Sequence, residues 1–404
     1  MKLRFSKIEL GFILLFLGTF LLSYYVRCAL VNEEFANINI INIIGMFIII
    51  LCCISSSKIY IKNCLISLIT ISVLSVLFWV VQITNGDKTI ISSARYYFGI
   101  VLPIIILYIR VDNIYFDKIY RIFMKCINII VAVMIVMLVV DVLTQNAVYT
   151  IFAKLTNDSS MIAYAFSDTR HASIMGHFIP TAEVYLIYYI SHAIEMNIYK
   201  KKKNRNIIYI TVSLIGTGLT GSKTGITLLL ICIFIYNVKK VQNLISGVIM
   251  VLILFFSGIF DFVLNRFITT DLTTGRIERL LYIKERFNLW PLIGNGANTS
   301  FYFNNWISWA SSAFEFPVVM FSYEYGIIFT FIFYLIVFVI PLIELWKEKR
   351  YINLMFLLIL DVFINTYNGI GVACDYFYMY VIIAFILLNA EKITGQLLLG
   401  EKSV

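Results

Sequence analysis

The side chains able to do chemistry in this chain are a set of cations, two loop histidines and a few carboxylates. His171 and His177 fall together in Arg170-His-Ala-Ser-Ile-Met-Gly-His-Phe-Ile-Pro180. A histidine at the end of a helix can take or give a proton near neutral pH, although a plain hydrogen-bonded loop histidine is an equally open reading. His192 lies inside an apolar run and reads as a helix-contact residue. Lys223 sits in Leu219-Thr-Gly-Ser-Lys-Thr-Gly225, where small residues let backbone donors approach an anion and the lysine adds a point charge. This is not a P-loop, since the GxxxxGK[ST] spacing is missing and no strand precedes it; the plainer reading is a lysine reaching for the membrane interface. Glu315 opens a long apolar run and Glu324 lies within it, where a carboxylate is costly and functional by default. Asp141, Glu183, Asp361 and Asp375 lie near run ends, where solvation makes a structural role the stronger reading. No three-ligand cluster of His, Cys and carboxylate is visible, so a catalytic metal has little support and no cofactor is expected. The seven cysteines lack CxxC spacing and read as small packing residues.

The elements that must position these groups follow from composition. Of 404 residues, 61% are hydrophobic and 14% charged, against roughly 25% charged in an ordinary soluble domain. With a mean hydropathy of +0.90, the chain has too little polar surface to cover a water-soluble core. The net charge of +9 comes from short clusters between apolar runs, not from one basic face, which excludes nucleic acid as a partner. The expectation is an all-α polytopic membrane protein forming a single integral domain over 1–404. A hydrocarbon core about 30 Å thick takes roughly 20 apolar residues per helix, and the runs lack the alternation of a membrane barrel. About twelve spans are predicted: 9–29, 38–56, 64–83, 96–110, 122–143, 178–198, 206–220, 224–238, 241–260, 317–343, 351–367 and 376–390. The first follows Lys2, Arg4 and Lys7 but no small-residue cleavage site follows it, so it reads as an uncleaved helix.

Loop cations set the orientation. Both termini are expected in the cytoplasm, with two large outward loops at 144–178 and 261–316. Loops longer than about 12–15 residues usually carry function or are disordered, and the aromatic, Gly and charged content here favours function. The inner cations are mostly lysines. The outer ones are seven arginines (Arg27, Arg95, Arg170, Arg266, Arg276, Arg279, Arg286) and four lysines (Lys88, Lys154, Lys223, Lys284). Charge alone sets topology, whereas the planar fork of arginine binds phosphate or carboxylate through two parallel bonds. Arginines where topology disfavours cations point to an anionic ligand; pairing with Asp271, Glu278 or Glu285, or contact with lipid headgroups, is the plainer alternative.

Several of these segments, taken in order, resemble the bacterial O-antigen and capsular polysaccharide polymerases of the Wzy type, relatives of the O-antigen ligases. The Leu219–Gly225 hairpin is similar to their Ser-Arg-Thr/Ala stretch, with Lys223 where arginine is usual. Thr274-Gly-Arg276 followed by Pro291-Leu-Ile-Gly-Asn-Gly296 resembles the Gly-Arg and Pro-x-x-Gly-x-Gly pattern of their large outer loop, and Arg170–Pro180 resembles a segment of the earlier loop. Where the ligases place a histidine eleven residues before a glycine, this chain has Glu315 before Gly326, and Phe329 replaces a second glycine. The resemblance covers roughly residues 90–330 and departs at Lys223 and Glu315.

That resemblance implies a GT-C-like fold and a metal-independent, inverting glycosyltransferase in the bacterial plasma (inner) membrane. Its partners would be undecaprenyl-pyrophosphate-linked oligosaccharide, membrane lipid and a chain-length regulator. Cations can stabilise the charge developing on a departing diphosphate; Arg95, Arg170, Lys223 and Arg276 are the candidates. Glu315 or His177 would deprotonate the acceptor hydroxyl. Trp306, Trp309 and Asn298, with Tyr302, Asn304 and Asn305, offer aromatic faces and amides to a glycan, or else form an interfacial aromatic belt. The competing readings are a ligase-type glycan transferase, which would share fold and motifs, a lipid-linked oligosaccharide flippase, and a non-enzymatic scaffold of envelope assembly. No paired halves with matching interrupted helices, as in many transporters, are visible in the sequence. The scaffold reading leaves the arginine placement unexplained.

Overall fold

The computed structural model describes residues 6–31, 36–85, 90–156, 170–199, 206–237, 275–307, 310–367, 370 and 374–390. In chain order these form α1 (Lys7–Leu21), α2 (Tyr24–Leu30), α3 (Ile40–Ser55), β1 (Ile59–Ile61), α4 (Cys64–Thr84), α5 (Ile90–Tyr96), α6 (Ile104–Tyr108) and β2 (Ile109–Val111). There follow α7 (Asn113–Thr144), α8 (Ala147–Thr156), α9 (Phe178–Tyr199), α10 (Asn206–Leu219), α11 (Lys223–Asn237), α12 (Arg276–Lys284), α13 (Pro317–Tyr325), α14 (Ile327–Lys347), α15 (Tyr351–Ile364) and α16 (Cys374–Asn389). Among the described residues, α4, α7 and α14 are long and apolar enough to cross a membrane, and α1 with α2 passes the same test as a broken pair. The described residues are therefore mainly helical, compatible with an α-helical membrane protein. The other apolar helices, such as α3, α10, α11 and α15, have 10–17 residues. The segment 241–260, Arg266 and Trp309 lie outside the described residues.

Two expected spans are not continuous. The run 9–29 turns by 86° between α1 and α2. Hydropathy misses the bend because a tertiary bond sets it: Ser23 caps α2 at the amide of Val26 and also donates to the carbonyl of Ile174 at 2.7 Å. Arg27, one of the outer cations of the sequence, donates to the carbonyls of Leu22 and Ala36 at 2.6 and 2.8 Å. The run 317–343 breaks at Gly326, whose φ of 90° lies in a region that essentially only glycine occupies.

The chain falls into two compact units, one of residues 1–50, 112–270 and 389–404, the other of 51–111 and 271–388. In the first unit α9 is buried almost all round, which marks a core helix. Glycines bring its neighbours close: a Cβ on Gly216 would enter the Tyr185 ring, and one on Gly225 would lie 2.9 Å from the Ala182 Cβ. Such small-residue contacts are how apolar helices associate where lipid removes the hydrophobic driving force. His192 sits among helices as the sequence suggests, stacked 3.7 Å from the Tyr209 ring and bonded to Glu195 and Asn128 at 3.1 and 2.9 Å.

In the second unit β1 pairs antiparallel with β2, Tyr60 opposite Arg110. Arg110 is buried, and its guanidinium is satisfied by Glu344 at 2.5 Å and by the carbonyls of Leu107 and Ile109 at 2.8 Å. Lys62 reaches Glu344 and Glu348 at 3.0 and 3.4 Å, and Arg350 joins Glu348 at 3.0 Å and the Leu388 carbonyl at 2.9 Å. Lys62, Arg110 and Arg350 thus gather at one end of α4, α14 and α15. Arg276, Asn85 and Gly294 lie at the opposite end of the same helices.

Burial by itself would raise the Glu348 carboxyl, but the bond from Arg350 and the charges of Arg350 and Lys62 outweigh it and leave it below 4.5. A carboxyl depressed by folding contributes stability above its unfolded value and loses it as pH falls through the folded one. Because the group is partly exposed, the contribution is small. The Tm advantage of the native chain over Glu348→Gln is therefore expected at neutral pH and to vanish on acidification below 4.5. An advantage independent of pH would show that packing, not charge, links these residues.

Candidate functional site

The first unit joins two of the segments singled out in the sequence. Arg170 Nε donates to the Thr220 carbonyl at 3.0 Å, and the His171 amide donates to the Leu219 carbonyl at 3.1 Å. The start of the Arg170–Pro180 segment is therefore seated on the Leu219–Gly225 hairpin. The hairpin forms because Gly221 takes φ +64°, and Ser222 caps α11 by accepting from the Gly225 amide at 3.1 Å. Lys223 is the first residue of α11. Arg170 also lies over the Phe178 ring, 3.9 Å from its centre, a cation–π contact that fixes the guanidinium plane. Thr181 ties the loop to the start of α9 through the carbonyls of Ala172 and His177. His177 Nδ1 accepts from the Ile179 amide at 3.4 Å, so one ring nitrogen is engaged at the start of α9. Asp141 accepts from the amides of Val148 and Tyr149 at 2.8 and 3.1 Å and caps α8, the structural role its place at a run end suggests.

The second unit holds Arg95, Arg276, Glu315, Asn298 and Trp306. Arg276 is the first residue of α12, after Gly275 at φ +74°. Its Nε pairs with Glu315 Oε2, and its Nη1 donates to the Thr366 carbonyl at 3.1 Å. A candidate phosphate ligand and a candidate base are thus partners of one another. One turn along α12, Arg279 Nη1 donates to Ser312 Oγ at 2.7 Å, anchoring the turn that carries Glu315. The sequence placed Arg279 only among the outer cations; its i, i+3 spacing from Arg276 puts both on one helix face and was the available signal. Arg286 by contrast stacks on Tyr282, 3.7 Å from the ring centre.

The Pro291–Gly296 segment clasps the break between α13 and α14. The amides of Asn295 and Gly296 donate to the carbonyls of Tyr323 and Glu324 at 3.0 and 2.8 Å, and that of Ile327 to the Pro291 carbonyl at 3.0 Å. Asn85, at the end of α4, donates to the Gly294 carbonyl. Glu324 is buried and accepts from the amide and hydroxyl of Ser300 at 3.3 and 2.6 Å, so it braces this loop. Arg95 lies on α5, its guanidinium carbon 5.3 Å from the Tyr96 ring centre. Asn298 takes φ +63° and starts the 3-10 turn Thr299–Asn305. Tyr302, Asn304, Asn305 and Trp306 follow on the exposed side of that turn, with Trp306 48% exposed and stacked on Tyr282.

Chemically, the first unit presents a guanidinium bonded to a hairpin whose next helix begins with a lysine. The second presents a guanidinium–carboxylate pair next to an exposed aromatic and amide surface. Among the described residues no group of three or more His, Cys, Asp or Glu could hold a metal ion. No family model, curated protein or solved structure matches this chain.

Proposed function

We propose that this chain is a membrane glycosyltransferase that joins oligosaccharide repeat units, carried on undecaprenyl pyrophosphate, into a surface polysaccharide. It would work with about twelve spans in the bacterial plasma membrane, its two large loops on the outer face. The observation that carries the reading is the seating of Arg170 on the Lys223 hairpin. Two segments distant in the chain, both part of the resemblance, are bonded to each other through Arg170 and Thr220 and through His171 and Leu219. The gathering of Lys62, Arg110 and Arg350 away from Arg276 supports the assumed orientation.

In the reaction, a hydroxyl oxygen at the non-reducing end of the acceptor attacks the anomeric carbon of the donor sugar. The bond from that carbon to the diphosphate oxygen breaks, and its electron pair leaves with the lipid diphosphate. The hydroxyl proton passes to Glu315 or, alternatively, to His177. Arg170 and Lys223 in the first unit, and Arg276 and Arg95 in the second, are each candidates for taking up the charge on a leaving diphosphate, so no strong acid is needed there. Trp306 and Asn298, with Trp309, would hold the glycan by ring faces and amide bonds. A chain-length regulator would act on this core reaction as a further partner.

The test is incubation of the purified chain in lipid nanodiscs with a lipid-linked repeat unit. Dimers and longer lipid-linked products are expected. Transfer only to a different acceptor would identify a ligase, and translocation without any new glycosidic bond would identify a flippase.

A further inference from the structure

We infer that Arg276 exchanges partners during the reaction: a diphosphate displaces Glu315 from it, and the displaced carboxylate then becomes able to accept a proton. This rests on the glycosyltransferase reading and adds to it an order of events, donor first and base second.

Three observations carry the inference. Glu315 and Arg276 are bound to each other through Oε2 and Nε, and the Oε2 lone pair that faces Nε is not open to a hydroxyl proton. Both side chains are partly exposed, at 26% and 29%, so a ligand can reach the pair without unfolding the loop. Ion pairs of such exposure are weak, and a diphosphate, with more charge and more acceptor oxygens than a carboxylate, competes well for a guanidinium fork. The third observation is what stays behind. Arg279 holds Ser312 at 2.7 Å, three residues before Glu315, and Arg276 keeps the Thr366 carbonyl at 3.1 Å. The turn and the guanidinium both remain anchored while their mutual bond opens. The base is thus masked until the leaving group is in place, which delays acceptor activation until the donor is bound.

The exchange has a sign that a merely structural pair would not have. Inorganic pyrophosphate is titrated calorimetrically into the full chain in nanodiscs. If Glu315 competes with the anion, Glu315→Gln binds pyrophosphate more tightly, by about fivefold for a partly exposed pair. Glu315→Asp, which keeps the charge but shortens the reach, is expected to shift in the same direction and serves if the glutamine variant is unstable. Arg276→Gln is expected to lose about tenfold or more. Unchanged or weaker binding by both Glu315 variants overturns the inference, as does full affinity in Arg276→Gln. The two ideas separate cleanly: tighter binding by Glu315→Gln without any glycan synthesis by the native chain sinks the function but keeps the exchange. Synthesis with no such competition does the reverse.

Discussion

Arg276→Ala is expected to abolish long glycan products while leaving the chain inserted and folded, and Arg170→Ala to do the same. Removing one preorganised donor from a site of developing negative charge typically costs about a hundred- to a thousandfold in rate. The structural cost is far smaller. Each guanidinium gives one bond to a carbonyl, Arg276 to Thr366 and Arg170 to Thr220, worth about 1 kcal/mol, and the partly exposed Glu315 pair of Arg276 or the Phe178 contact of Arg170 adds about 1 kcal/mol more. A small fall in Tm with a collapse in chain synthesis is therefore the expected pattern. Arg276→Lys sharpens the test, because lysine restores the charge without the planar fork. It should be nearly as poor as alanine. Full activity in the lysine variant would show that charge alone suffices, and normal product ladders from both alanine variants would remove these arginines from the chemistry.

The positions of most helices were legible in hydropathy alone, because an apolar run of suitable length has few other fates. The runs 64–83, 178–198, 206–220 and 224–238 return as α4, α9, α10 and α11 with ends shifted by a residue or so. What hydropathy could not reveal were the interruptions. Leu22 and Ser23 are ordinary members of an apolar run, and the bend there depends on a carbonyl at Ile174, far along the chain. A glycine such as Gly326 permits a break but does not require one; the Pro291–Gly296 segment, itself read only as a motif, bonds across the break and holds it. Residue types carried the candidate site further than pattern did. Singling out arginines from lysines pointed to Arg170 and Arg276, whose bonds give them fixed places. It also swept in Arg27, which serves the backbone of the α1–α2 bend. The pairing of Arg276 with Glu315 was not legible, since nothing in spacing says that two separately chosen residues will meet.

Gly294→Ala is expected to be the most damaging small substitution in the second unit. A methyl group there would be driven into the Glu324 carbonyl and the Tyr325 amide, where backbone offers no flexible end to move aside. Relief requires the Pro291–Gly296 segment to lift away, which gives up the bonds from Asn295, Gly296 and Ile327 across the helix break. Overpacking costs about 1–3 kcal/mol and each lost backbone bond about 1 kcal/mol, so about 3 kcal/mol or more is expected. Gly326→Ala meets the Leu292 carbonyl at 2.5 Å and the Gly294 amide at 2.9 Å, and adds the strain of φ +90°. Gly275→Ala is the control. It too has positive φ, but its nearest neighbour would be a side-chain atom 3.9 Å away, leaving only a backbone cost of about 1–2 kcal/mol. Thermal unfolding in nanodiscs, with limited proteolysis of residues 285–307, would read the difference. Gly294→Ala should melt well below Gly275→Ala and be cut faster in the loop. Equal melting of the two would mean that the loop does not grip the helix break, and Glu315 and Arg276 would then need some other support to be held face to face.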